Sequence, residues 1–235
     1  MTQTLSAFWA VIPAAGIGAR MAADRPKQYL QLGGQTLLEH SLDCFLDHPT
    51  LKGVVVSIAA DDPYWPGLRC AGDPRIQRAP GGRERADSVL NALLLLHAQG
   101  ASDNDWVLVH DAARPNLARS DLDRLLSELA GDPVGGLLAV PARDTLKRAD
   151  GNGRVSATVD RSTIWQAYTP QMFRLGALHR ALAECLVADV VVTDESSAIE
   201  WAGHAPRLVE GRSDNIKVTR PEDLEWLRQR WASRR

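Results

Sequence analysis

The sequence is short of cysteine, has no long hydrophobic run and carries no excess of either charge. Each absence excludes something. The three cysteines, Cys44, Cys70 and Cys185, lie far apart and form no CxxC pair. A disulfide framework is excluded, and a reducing, cytoplasmic setting is expected. Lys and Arg number 27 against 29 Asp and Glu, a net charge of −2. Nothing global favours nucleic acid, so any cationic feature must be local. The opening MTQTLSAFWAVIPAAG has no basic region and only a short apolar run, so neither a signal peptide nor a membrane span is expected. GxSxG, HExxH and cysteine–histidine signatures are missing, and none of the six histidines forms a ligand-spaced pair.

What is present is a regular alternation. The 235 residues are 45% hydrophobic, enough for one sizeable core, and a single domain over 1–235 is expected. Ala7–Pro13, Gly53–Ala59, Trp106–Val109 and Gly136–Val140 read as continuous apolar strands. Thr36–His48, Glu84–Ala98, Arg174–Ala188 and Asp194–Ala202 read as helices. So does Ser120–Gly131, with Ser120 as its N-cap and a glycine at its end. Thr219-Arg220-Pro221-Glu222 has the form of a capping box with Thr219 at the N-cap. Unbroken strands separated by helices imply an α/β fold, a mostly parallel sheet covered on both faces. Residues 142–160 interrupt the pattern. They are polar around Asp150-Gly151-Asn152-Gly153, which signals a hairpin that projects from the body. A solvated loop and an arm packing on another subunit are both compatible with it.

Three stretches carry chemistry. The first, VIPAAGIGARMAADRPKQYLQLGG, follows the first strand. Ligands in open α/β sheets bind beyond the carboxyl ends of strands, and small residues let an anion approach backbone N–H groups. Ala14, Ala15, Gly16 and Gly18 suit that use, and Arg20 and Lys27 add cations. The dinucleotide fingerprint fails because Met21 stands where its third glycine belongs, and no P-loop occurs. A phosphate clamp is the expectation. The second, PGGRERADSV, places a glycine pair before a helix, with Ser88 on the early turns. The third, VLVHDAARP, ends a buried strand in Asp111, well placed to hold Mg²⁺ against phosphates, with Arg114 within reach of an anion. His110 beside it reads as a packing residue. No base for activating a hydroxyl is evident. None is needed if the nucleophile is a phosphate, whose second pKa is near ~6.

Taken in order, PAAGIGARM with RPKQYL, GGRERADSV, VHDAARP, DTLKRA, TPQ, TDE and VEGRSDNIKVTRPEDL resemble the 2-C-methyl-D-erythritol 4-phosphate cytidylyltransferase family over about Val11 to Leu224. The resemblance implies a Rossmann-like nucleotidyltransferase fold, CTP and methylerythritol 4-phosphate as substrates, Mg²⁺, and a homodimer joined through the 142–160 arm. It also implies roles. Arg20 and Lys27 would stabilise charge at the α-phosphate. Arg161, reaching the partner's site, and Lys217 would position the acceptor. Ala14, Ala15, Gly16, Gly82 and Ser88 would hold the cytidine. Asp111, Arg114, Thr145, Thr169 and Thr193 would line the sugar-phosphate side. Asp111 would bind metal, with Asp214 as a second ligand. A cytidylyltransferase acting on another polyol phosphate, such as ribitol 5-phosphate, and a CTP-binding module without chemistry stay open. A dinucleotide-dependent oxidoreductase is disfavoured by the failed fingerprint.

Overall fold

The computed structural model describes residues 5–16, 21 and 24–233. The chain runs β1 (Phe8–Pro13), a short hairpin β2 (Gln31–Leu32) and β3 (Gln35–Thr36), α1 (Leu37–Leu46), β4 (Leu51–Ile58), β5 (Ile76–Pro80), α2 (Arg85–Ala98), β6 (Trp106–Val109), α3 (Arg119–Leu129) and β7 (Gly135–Pro141). It continues with β8 (Leu146–Ala149), β9 (Val155–Val159), β10 (Trp165–Arg174), α4 (Leu175–Val187), α5 (Glu195–Trp201), β11 (Arg207–Glu210) and α6 (Pro221–Ala232).

One seven-stranded sheet has the order β11-β7-β10-β6-β1-β4-β5. Only β10 runs against its neighbours. Strand periodicity divides the core into two layers. Phe8, Ala10 and Ile12 face α1 and α3, packing with Leu42, Phe45, Leu122 and Leu126. Val11, Val55, Val107 and Val109 face α2 and α4, packing with Val89, Leu93, Leu178 and Leu182. Alternate residues of one strand point to opposite faces, so these unbroken apolar runs are what a sheet covered on both sides requires. A smaller cluster of Leu32, Leu37, Ala113, Val218, Leu224 and Leu227 seats α6 against the β2–β3 hairpin.

Two helix starts differ from expectation. Ser120 lies inside α3, whose N-cap is Ala118, because Ala118 O already accepts from the amides of Asp121 and Leu122. Helix α6 is capped at Arg220, not Thr219. The acceptor is Asp223 rather than Glu222: its carboxylate takes the amides of Thr219 and Arg220 and the Thr219 hydroxyl. Strands β10 and β11 were not among the predicted ones. Trp165–Arg174 is a mixed polar run containing Pro170, and the register of β10 against β7 shifts between Ala167 and Gln171.

Residues 142–160 do form a hairpin. Strands β8 and β9 pair only with each other, and most of their residues are exposed. Its turn is organised by Asp150, whose Oδ1 accepts from the amides of Asn152 and Arg154 at 2.9 Å each.

Candidate active site

The carboxyl ends of β1, β5 and β6 open on one side of the sheet, and their following loops enclose a cleft of about 270 Å³. The first loop leaves β1 by extending the parallel ladder, with Ala14 N donating to Ser57 O at 2.8 Å. The buried Gln28 amide donates to Ala14 O at 2.6 Å and pins the loop from behind. The second loop is braced by Ser88. Its hydroxyl accepts from Gly82 N at 2.9 Å and donates to Glu84 O at 3.2 Å. The two loops abut closely: a Cβ on Gly81 would stand 2.3 Å from the Cβ of Ala15.

The cleft floor is set by β6. His110 N donates to Val11 O, so the strand's ladder reaches the residue before Asp111. Asp111 N then donates to the Thr169 hydroxyl at 3.1 Å. His110 is fully buried, and burial pushes its ring down to about 4. A neutral ring facing the Arg114 carbonyl at 3.0 Å must donate from Nε2. Nδ1 is left to accept from Thr169 at 3.0 Å. His110 therefore packs as expected, and it also holds the 110–114 turn closed.

Three cations converge on the carboxylate of Asp111, whose side chain is 8% exposed. Arg85 Nε lies 3.2 Å from Oδ1. Arg114 Nε at 3.2 Å and Lys217 Nζ at 3.0 Å share Oδ2. Burial acts to raise the Asp111 pKa, but Arg85, Lys217 and Arg114 outweigh it and hold the group far below the usual carboxylate range. Arg85 is itself gripped by the buried Glu195 through two contacts, at 2.6 and 3.1 Å. Lys217 is placed by its neighbour: Val218 is fully buried, and its N–H donates to Ala113 O at 2.8 Å. Lys27 Nζ donates to Val218 O at 3.2 Å, which brings the two lysines to one edge of the cleft.

Ala14, Ala15, Gly16, Lys27, Gly82, Ser88, Asp111 and Lys217 thus meet at one cleft, although they span most of the chain. Arg114 and Thr169 are buried beside Asp111 and support it. Thr193 is exposed just before α5. Thr145 and Arg161 are exposed at the foot of the hairpin, outside the cleft, where Arg161 Nη1 donates to Arg143 O. Arg20 and Gly18 lie outside the described residues. Asp214 does not fit the expectation of a second metal ligand. Arg212 and Arg230 neutralise it away from the cleft, with Arg212 Nε 2.9 Å from Oδ1. Among the described residues no three His, Cys, Asp or Glu side chains form a metal cage.

Sequence reasoning missed Arg85, Glu195 and the bracing role of Gln28. The motif RERADS offered a signal for Arg85, since a guanidinium on the first turn of a helix that opens on a ligand loop faces that loop.

A cleft at the carboxyl edge of a nearly parallel sheet, walled by two small-residue loops and floored by a carboxylate among cations, is where an open α/β fold receives a ligand, and the family match makes the class that of an α/β nucleotidyltransferase. The chain belongs to the 2-C-methyl-D-erythritol 4-phosphate cytidylyltransferase family, whose model matches residues 8–228. The protein of that name from Pseudomonas putida strain W619 is 92% identical over 235 residues, the whole of both chains. Among solved structures, a crystal structure of 4-diphosphocytidyl-2C-methyl-D-erythritol synthase superposes with a TM-score of 0.83 at 41% identity, covering 97% of this chain and 99% of that one. The 2-C-methyl-D-erythritol 4-phosphate cytidylyltransferase of Francisella tularensis superposes with a TM-score of 0.80 at 39% identity, covering 94% and 98%. No helix among the described residues is long and apolar enough to cross a membrane.

Proposed function

We propose that the cleft transfers the cytidylyl group of CTP to 2-C-methyl-D-erythritol 4-phosphate, releasing pyrophosphate. An oxygen of the acceptor phosphate attacks the α-phosphorus in line, and the β-phosphate oxygen leaves with the bond electrons. The observation that carries this reading is the convergence of Arg85, Arg114 and Lys217 on one ionised carboxylate beside two loops built for phosphate approach. A phosphate nucleophile needs no general base, and His110, beside Asp111, is buried, neutral and committed on both nitrogens. The work left to the protein is positioning and charge stabilisation.

Lys27 and Lys217 supply compact charges at the edge where the triphosphate lies, with Arg20 assigned to the same task from sequence. The small residues at 14–16 and 81–82 let the nucleotide meet backbone. Asp111 fits a divalent ion that arrives with the triphosphate, because Mg²⁺ is commonly held by one or two carboxylates and completed by substrate phosphates. When bound, Mg²⁺ would neutralise charge on the transferring and leaving phosphates. Asp111 is the residue that would hold the ion, and Lys217, beside it at the cleft edge, would serve the phosphates.

The hairpin of β8 and β9 would join two copies of the chain. It makes no sheet with its own body and exposes Val155 at 64%. Arg161 at its foot would then serve the partner's cleft.

Pyrophosphate release tests the reaction, with CTP and Mg²⁺ offered alongside methylerythritol 4-phosphate, ribitol 5-phosphate or no acceptor. Release only with methylerythritol 4-phosphate is expected. A preference for ribitol 5-phosphate would keep the mechanism and replace the acceptor. CTP binding with no release from any acceptor would refute catalysis.

A further inference from the structure

Glu195 is fully buried at the first turn of α5, where it pairs with Arg85, at the first turn of α2. The two residues are 110 positions apart in sequence. A buried carboxylate tied to a guanidinium that is itself 28% exposed seldom adds stability over apolar residues of the same size, so such a pair calls for another reason. The geometry offers one. Two parallel N–H···O bonds fix the plane of the guanidinium, which a single contact could not do. With that plane fixed, the third donor of Arg85, Nε–H, meets Oδ1 of Asp111 at 3.2 Å. Among the described residues Oδ1 has no other donor, whereas Oδ2 has two, from Arg114 and Lys217.

We propose that Glu195 and Arg85 are a positioning pair: Glu195 orients Arg85, and Arg85 sets the direction in which the Asp111 carboxylate faces the cleft. The role rests on reading the cleft as the cytidylyl-transfer site. The pair also divides the cations by task. Lys217 is 35% exposed and shares its carboxylate oxygen, so it can leave for a phosphate. Arg85 lines the same cleft but has a carboxylate of its own. Glu195 thereby keeps Arg85 from collapsing onto the bound triphosphate, a contact that would favour the ground state and draw the support away from Asp111. Neither residue forms or breaks a bond in the reaction, so both act through Asp111.

The test is the steady-state kinetics of E195Q, R85Q and R85Q/E195Q, with thermal melting of each. The double variant leaves no unpaired buried charge, so it reports even if a single variant folds poorly. In E195Q, kcat should fall roughly tenfold while the KM for CTP stays level or drops, because the released guanidinium can reach the triphosphate. In R85Q, kcat should fall roughly 10- to 100-fold with the KM for CTP within about threefold of the parent. The double variant should be no slower than R85Q, since the two residues act as a unit. A folded R85Q with kcat within about twofold of the parent would overturn the proposal. So would multiplicative losses in the double variant, or a tenfold rise in KM with kcat kept, which marks a nucleotide-binding role instead. An inert parent chain would overturn the reading of the cleft itself, and the pair's catalytic role with it.

Discussion

The hydroxyl of Thr169 has two neighbours with opposite needs. The amide of Asp111 must donate to it, and the ring of His110 must accept from it. A methyl group can do neither. Thr169→Val keeps the shape but leaves a buried amide and a buried ring nitrogen unpaired, at roughly 1–3 kcal/mol for each. The expected outcome is a lower melting temperature together with a kcat reduced on the order of tenfold, because Asp111 loses the bond that fixes its backbone. Thr169→Ser should recover most of both. Calorimetry and pyrophosphate release on the three proteins check this, and a Thr169→Val chain that matches the parent in both would refute the role. At this scale, sequence reading recovers residues whose type and place already announce their chemistry. Asp111 lies just past the end of a buried strand, and Lys27 follows a glycine-rich loop. Arg85 and Glu195 stayed hidden because charged residues are ordinary at helix starts, and only the folded chain brings the two together.

At the level of elements, the cleft depends on how closely two loops can pass. Gly81 N donates to Ile58 O and Ala14 N to Ser57 O, so both loops are anchored to β4. A methyl at Gly81 would meet Ala15 at 2.3 Å, and neither loop can yield without losing its anchor. Gly81→Ala should destabilise by roughly 1–3 kcal/mol, as overpacking does, and raise the KM for CTP more than it lowers kcat. Gly72→Ala, on an exposed turn with open space around it, should change neither. Melting curves and CTP titrations decide, and an unchanged KM in a folded Gly81→Ala chain would mean that the two loops do not jointly form the nucleotide wall. The same anchoring explains what was legible in the fold. Runs such as FWAVIP and GVVVSI are apolar on both faces, so they read as interior strands without any tertiary knowledge. The segment WQAYTPQMFR is not. It enters the sheet antiparallel, and its register against β7 shifts between Ala167 and Gln171, across Thr169. A strand that interrupts its own ladder to deliver a side chain lacks the periodicity that would reveal it.

For the whole molecule, the question is whether one chain holds a complete site. Arg161 stands at the foot of the hairpin, outside its own cleft, while Lys27 lines that cleft. If the hairpin joins two copies and delivers Arg161 to the partner, two inactive variants should rescue each other. On the proposed reading, Lys27→Ala would remove a charge beside the α-phosphate, and Arg161→Ala would remove the acceptor's clamp. Each alone should lower kcat roughly 10²–10³-fold, the scale of one lost transition-state contact. In a hybrid dimer both lesions fall on one cleft and the other cleft is intact. Random reassortment of equal amounts makes half the dimers hybrid, so activity should rise to about one quarter of the parent's. If Arg161 serves its own cleft, each hybrid has two damaged clefts and no recovery occurs. The dimer must be allowed to exchange, so mild dissociation and dilution series belong to the experiment. Deleting the hairpin gives the complementary readout: sedimentation should then show a monomer, with the cleft's own residues in place but the acceptor held poorly. A deleted chain that still sediments as a dimer would locate the interface elsewhere, and recovery in the mixture would then have to be explained by another route for Arg161.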